Sequence, residues 1–409
     1  MKLLIIMPPH YAMPPTRGGS VERLTEILIR CNEAAPKPWE ITVLSRRDER
    51  TADSAAYAHT RFVYTDTTRS EPPSNRLECA VRKKFGSVTP VRWDYVRAIK
   101  KAVGGEAFDE ILLENCFELA RPLYKIFGKK QMILHAYGRF FGEEHPDAPR
   151  AYRCVRRFLF PSEALRREAL AVGVPAKRSS LLHDCVDMSL FDRARYADIR
   201  DEKRAKYGLE SGDILGIFVG RLTPEKGVLE LIKAMGQTTY GKTRLKLLIV
   251  GASQYGKELR DEYREELEAA APEGKIVFVG SVRTASAARF FARADFAVVP
   301  SLTEKPAGLP VLEVMASGLP LIVSDADTVG EYTAGLRNAM PDACVTVKRG
   351  LGYVTSLAKA IDGMAERLHD DPAFAAEAAD AARRCAEDYD SQRYLQLFCE
   401  NIEERNDTI

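Results

Sequence analysis

The feature that most constrains this chain is a repeated rhythm. Short apolar runs alternate with stretches of residues at helical spacing, and in the second half of the chain each run leads to a glycine, serine or proline turn. One series comprises residues 2–7, 41–44, 61–64, 110–113, 131–135 and 158–161; a second comprises 214–219, 245–250, 275–279, 295–299 and 320–323. A strand buried on both faces reads as a continuous apolar run. Strands alternating with amphipathic helices, as near 76–103, 117–127 and 163–172, predict a doubly wound parallel sheet. A chain of 409 residues exceeds what one hydrophobic core serves, so two series imply two such domains. The boundary falls in 184–212, where Asp184-Cys185-Val186-Asp187 precedes Phe191, a charged helix from about 199 to 207, and Ser211-Gly212-Asp213. The expected division is 1–187 and 188–387, followed by a C-terminal segment, 388–409.

Other classes are excluded by simple counts. No apolar run approaches the ~20 residues that cross a bilayer. Residues 1–7 read as a first strand rather than a signal peptide, because the apolar stretch is too short and no small-residue cleavage site follows it. The eight cysteines form no C-x-x-C pair and have no histidine at metal-ligand spacing, the pattern of reduced thiols in a cytoplasmic protein. No short Asp-x-Asp pair follows a strand end, so no metal is expected. The net charge of +2 hides an asymmetry: residues 1–190 hold 31 Lys/Arg against 23 Asp/Glu, which leaves 29 against 35 for the remainder. The basic helices of the first half (Arg82-Lys83-Lys84, Arg97, Lys100-Lys101, Lys129-Lys130, Arg156-Arg157) read first as solvated faces, and leave room for peripheral contact with an anionic membrane or an acidic acceptor. Basic residues are not interleaved with an aromatic platform, which argues against nucleic-acid binding.

Three loops carry the candidate chemistry. After the first strand comes Arg17-Gly18-Gly19-Ser20 and then a helix pattern with Ser20 as N-cap, a unit that brings backbone close to a ligand at a sheet's carboxyl edge. Gly220-Arg221-Leu222-Thr223-Pro224-Glu225-Lys226-Gly227 follows the first strand of the second series. It places two cations at a helix entrance, where a planar fork and a point charge can hold phosphates together; the competing assignment is an Arg221–Glu225 surface ion pair worth under ~1 kcal/mol. The third loop lies in residues 301–318, where Glu304 and Glu313 flank a Gly-Leu-Pro turn that enters a helix. Acids accept hydrogen bonds from hydroxyls, and a helix N-terminus holds an anion. In the first half, His135 ends the run Met132-Ile133-Leu134 and should project at the carboxyl edge, as either a ligand-binding or a satisfied structural histidine.

The set Gly220-Arg221-Leu222-x-Pro-Glu-Lys226-Gly227, Leu248-Ile249-Val250-Gly251, Phe278-Val279-Gly280, Pro300-Ser301-x-x-Glu304 and Gly308-Leu309-Pro310-Val311-Leu312-Glu313-x-Met315-Ala316-Ser317-Gly318 resembles the retaining glycosyltransferases of family 4. The first half resembles them through Arg17-Gly18-Gly19, His135 and residues 182–191. The resemblance implies a GT-B fold, with two Rossmann-like domains facing each other across a cleft and a last helix crossing back to the first. It implies a nucleotide diphosphate sugar, UDP- or GDP-linked, as donor and a saccharide or lipid-linked acceptor. On this resemblance Arg221 and Lys226 bind the pyrophosphate, Glu313 the ribose hydroxyls and Glu304 the donor sugar. Gly308, Leu309 and Pro310 offer the helix entrance to phosphate or sugar, Gly18 and Gly19 approach the pyrophosphate, Gly251 belongs to the nucleotide-binding set, and His135 stands beside the transferred sugar. No cofactor is implied. Two positions depart from the pattern. Eight residues separate Glu304 from Glu313 where the family has seven, so that counting back from Glu313 lands on Lys305, and Asp184-Cys185 stands where Asn-Gly is usual.

The expected activity is sugar transfer to an acceptor hydroxyl with retention, in polysaccharide, glycolipid or glycoconjugate synthesis. A sugar-nucleotide epimerase of the same architecture and a catalytically silent binding or scaffold subunit are the alternatives.

Overall fold

A computed structural model of the chain describes residues 1–15, 19–48, 57–67, 71–84, 91–138, 148–198, 204–210, 212–240, 244–252, 262–282, 284–304 and 308–403. It divides into two compact units, Met1–His183 with Ser391–Ile409, and Asp184–Asp390.

The first unit is built on seven parallel strands: β1 Lys2–Ile6, β2 Glu40–Arg46, β3 Thr60–Thr65, β4 Glu110–Glu114, β5 Met132–His135, β6 Val155–Phe160 and β7 Ser179–Leu181. Their order in the sheet is β3-β2-β1-β4-β5-β6-β7. Leu3, Leu4, Ile5 and Ile6 are fully buried, as a central strand covered on both faces must be. Order reverses between β1 and β4. In sheets of this kind, ligands bind outside the carboxyl ends at such a reversal.

The second unit repeats the plan with β8 Ile214–Val219, β9 Leu245–Val250, β10 Ile276–Gly280, β11 Phe296–Val299, β12 Leu321–Ser324 and β13 Cys344–Val347. The order is β10-β9-β8-β11-β12-β13, all parallel, and it reverses between β8 and β11. Its core gathers Phe291, Phe296, Leu312, Leu336 and Phe374 around the sheet.

Strands β7 and β13 are absent from the apolar series read in the sequence. Both are edge strands of only three and four residues that keep partly exposed positions, too short to show a continuous apolar run; the longer edge strands β3 and β10 did appear in the series. The stretch 76–103 forms two helices, Pro73–Lys84 and Trp93–Val103. Asn75 ties them: its amide donates to Val91 O at 3.0 Å and its carbonyl accepts from Trp93 N at 2.7 Å. Residues 353–387 likewise fall into two helices, Tyr353–Asp370 and Pro372–Glu387. Asp371 caps the second by accepting from Ala373 N and Phe374 N, with Pro372 in the first turn, where a missing N–H costs nothing.

The helix Tyr394–Glu403 belongs to the first unit. Tyr394, Phe398 and Ile402 are buried, Asn401 donates to Leu181 O at 3.2 Å, and Arg156 donates to Ile402 O at 3.2 Å. Among the described residues, no helix is long and apolar enough to cross a membrane.

Candidate functional site

The second unit assembles two of the sequence motifs at its strand-order reversal. β8 ends at Val219 and β11 at Val299, side by side. The loops leaving them touch: Leu302 N donates to Glu225 O at 2.9 Å. Gly227 makes that approach possible. Its φ is +69°, and a Cβ there would lie 2.0 Å from Pro300 O. Any other residue would push the Arg221–Lys226 turn away from the Ser301–Glu304 loop. Lys226 closes a 3₁₀ turn, Pro224–Lys226, directly before the helix Val228–Gln237. Arg221 lies 3.3 Å from Glu225, both side chains being partly exposed. A pair of this kind contributes under ~1 kcal/mol, less than the ~1.5–3 kcal/mol of one charge-assisted hydrogen bond to phosphate.

A second glycine completes this edge. Gly251, at the end of β9, has φ +151°, and a Cβ there would fall 1.8 Å from Gly220 O. Its N–H donates to Gly280 O at 2.8 Å. The carboxyl ends of β8, β9 and β10 thus converge on bare backbone.

Glu313 sits in the helix Gly308–Ala316, in which every residue except Pro310 is buried. Its carboxylate is 1% exposed. Gly308 opens this helix in a crowded place, with a Cβ due to meet Tyr332 at 2.5 Å and Asp184 Oδ2 at 2.7 Å. Asp184 N donates to Tyr332 Oη at 2.8 Å, and burial pushes the Tyr332 hydroxyl well above its ordinary pKa. Asp184, which the sequence shows only as a departure from Asn-Gly, therefore brings a carboxylate to the entrance of the Gly308 helix, the end that favours negative charge. Leu309 is buried behind Gly308.

Glu304 has firm partners. Arg349 Nη2 donates to Glu304 Oε1, and the Asp327 amide donates to Oε2. Arg349 also pairs with Asp325 at 2.7 Å and donates to Leu302 O at 3.1 Å. Although burial opposes it, hydrogen bonding to Arg349 holds the Asp325 carboxyl below the usual range. Arg349 and Asp325 went unseen in the sequence: they stand 45 and 21 positions from Glu304, with no motif of their own. Lys305, the other position for the first acid, lies outside the described residues.

In the first unit His135 ends β5 and pairs across the sheet with Glu114 of β4. Both are 2% exposed. Gly18 and Arg17 lie outside the described residues. Gly19 precedes the helix Ser20–Glu33, and its N–H donates to Glu22 Oε2 at 3.0 Å, so the helix folds its own acid over its first amide. A Cβ at position 19 would lie 2.2 Å from that oxygen.

With this geometry in view, comparison with known proteins gives a consistent result. Residues 199–339 match the model of the family described as glycosyl transferases group 1. The chain is 29% identical over 164 residues to an uncharacterized glycosyltransferase of Methanocaldococcus jannaschii, 40% of each chain, so it spans less than half of that relative. It is 23% identical over 345 residues to spore coat protein SA of Bacillus subtilis, covering 80% of this chain and 81% of that one. The solved structure of Anabaena HepE in complex with UDP and glucose aligns over 98% of both chains with a TM-score of 0.71 at 16% identity, a likeness of fold. The fold is GT-B: two Rossmann-like domains, each on its own parallel sheet.

Proposed function

We propose that the chain is a glycosyltransferase of family 4 that moves a sugar from a nucleotide diphosphate sugar to an acceptor hydroxyl with retention of configuration. The observation that carries this reading is the meeting of the Arg221–Lys226 turn with the Ser301–Glu304 loop at the β8/β11 reversal, through Leu302 N and Gly227. Two cations are thereby presented beside the strand that leads into the Glu313 helix. The neighbour crystallised with UDP and glucose favours a uridine nucleotide as the donor's leaving group. Acceptors of saccharide or lipid-linked type, and contact with an anionic membrane through the basic first half, extend the same proposal.

Arg221 and Lys226 hold the diphosphate, and with the Gly308 helix end they stabilise the charge that develops as it departs. Glu313, buried on its helix, accepts from the ribose hydroxyls. The acceptor hydroxyl attacks the anomeric carbon on the face that the diphosphate leaves, and the leaving phosphate oxygen takes the acceptor proton. Positioning of the two reactants then lowers the barrier without a covalent enzyme intermediate. Replacement of Lys226 by Ala is expected to cut donor hydrolysis and transfer by roughly 10²- to 10³-fold or more, with the melting temperature unchanged. A near-normal rate in that variant would overturn the assignment.

The engagement of Glu304 by Arg349 and Asp327 favours a second reading, a catalytically silent homologue that binds a nucleotide sugar without turning it over. Release of free sugar together with nucleoside diphosphate above background, across a panel of nucleotide sugars, separates the two.

A further inference from the structure

Both carboxylate oxygens of Glu304 face donors of the chain itself, Arg349 Nη2 at Oε1 and Asp327 N–H at Oε2. The second contact closes the start of the helix Asp327–Ala339, whose N-cap position is held by Ala326 with no side-chain hydrogen bond. The first amides of a helix have no partner within it, and alanine is a poor N-cap because it offers no acceptor. A carboxylate 23 positions away supplies that acceptor, at the helix end that favours negative charge. Thr328 Oγ1 donates back to Glu304 O at 3.3 Å. The loop after β11 and the helix after β12 are thus stitched twice.

Arg349 carries the stitch along the sheet edge. It follows β13, and its side chain passes the loop after β12 to reach the loop after β11: Nε donates to Asp325 Oδ1 at 2.7 Å and Nη1 to Leu302 O at 3.1 Å. Leu302 N–H in turn donates to Glu225 O at 2.9 Å, within the turn that bears Arg221 and Lys226. The strands lie in the order β8-β11-β12-β13. One line of polar contacts therefore crosses the carboxyl ends of four neighbouring strands, from Arg349 to Glu225. A planar guanidinium that meets two acids and a carbonyl is fixed in orientation as well as in place.

We propose that Glu304 and Arg349 are positioning residues, which together hold Leu302 and, through it, the Arg221–Lys226 turn in the geometry that binds a diphosphate. Glu304, whose place in the motif suggests a ligand of the transferred sugar, serves here as the N-cap of the helix after β12. The diphosphate as ligand rests on nucleotide binding, which both readings of the function share; the strap of contacts does not. A consequence separates this role from contact with the transferred sugar: affinity for the nucleotide without that sugar should depend on Glu304.

The test uses the full chain as wild type, Glu304→Ala, Arg349→Ala and the double variant, with UDP binding measured by isothermal titration and amide exchange followed residue by residue. Each single variant should weaken UDP about 3- to 10-fold, part of what one charge-assisted hydrogen bond contributes. The double variant should bind no more weakly than the worse single variant, because the two residues act through one connected set of contacts. Exchange should quicken by roughly 10-fold or more at Asp327 in Glu304→Ala and at Leu302 in Arg349→Ala, while the amides of β9 keep the wild-type rate, which separates local release from general unfolding. UDP affinity indistinguishable from wild type in both single variants overturns the proposal. So do losses that multiply in the double variant, or an equal quickening of exchange throughout the sheet. Failure of wild type to bind UDP or GDP would remove the nucleotide reading, and exchange at Asp327 and Leu302 would still decide the strap: faster in the variants upholds it, unchanged overturns it.

Discussion

Glycine at 251 shows how single residues shape this molecule. Its φ of +151° and the 1.8 Å that would separate a Cβ from Gly220 O mean that Gly251→Ala must break the contact between the ends of β8 and β9. Loss of roughly 2–4 kcal/mol is expected, read as a lower midpoint in urea; a loss under ~0.5 kcal/mol would show that the turn can relax. Glu118 supplies a residue-scale prediction with a pH signature. Burial pushes its carboxyl from 4.5 up to about 7. Between those values the folded chain keeps a proton that the unfolded chain has lost, so this group makes stability fall as pH rises through the window. Glu118→Gln cannot ionise and should melt higher than wild type at pH 8 by an amount on the order of 3 kcal/mol or less, with little difference near pH 4.5. Equal shifts at both pH values would contradict a titrating origin. Gly251 was legible as part of a motif, but its reason, the carbonyl of Gly220, lies 31 positions away.

Among elements, the helices are governed by local chemistry and the edge strands by their neighbours. Asp371 caps the helix Pro372–Glu387 through two backbone amides, so Asp371→Ala should cost about 1 kcal/mol, measured by thermal unfolding, and Asp371→Asn should restore most of it. An Asn variant no more stable than the Ala variant would point away from capping. The loop after β13 carries a different kind of anchor. Arg349 joins Glu304, Asp325 and Leu302 O, and Arg349→Ala leaves two acids facing one another without their common cation. A destabilisation of about 1–3 kcal/mol is expected; a negligible one would identify the cluster as a solvated pairing. Central strands announced themselves because both faces are covered. β7 and β13 did not, because they are only three and four residues long and keep polar or partly exposed positions, as in Ser179-Ser180-Leu181, whereas the longer edge strands β3 and β10 did.

At the scale of the whole molecule, the chain leaves its first unit at His183, completes the second, and returns at Ser391. The returning helix buries Tyr394, Phe398 and Ile402, worth about 1.5–3 kcal/mol for each large apolar side chain. Truncation after Asp390 should therefore lower the melting of the first unit by several degrees or abolish it. The second unit, whose strands and core lie within Asp184–Asp390, should keep its own transition. If the proposed function holds, that transition should still rise with nucleotide, by the equivalent of ~2.7 kcal/mol at a hundredfold excess over the dissociation constant. Loss of the second unit's transition on truncation would show that the two fold as one.

Sequence alone determined the βα rhythm, the two sheets, and the places of Arg221, Lys226, Gly308 and Glu313 in the turn and helix that follow β8 and β11. Those follow from local rules: an apolar run buried on both faces, a glycine where backbone must pass close, a helix start after a turn. Tertiary structure alone decided the partners. That Glu304 is held by Arg349, that Asp184 stands at the Gly308 helix entrance, and that Glu114 faces His135 all depend on which strand ends come to lie side by side. Parallel sheets set such pairs through long crossover connections, and the spacing between the partners, from 21 residues for Glu114 and His135 to 124 for Asp184 and Gly308, leaves no periodic trace in the chain.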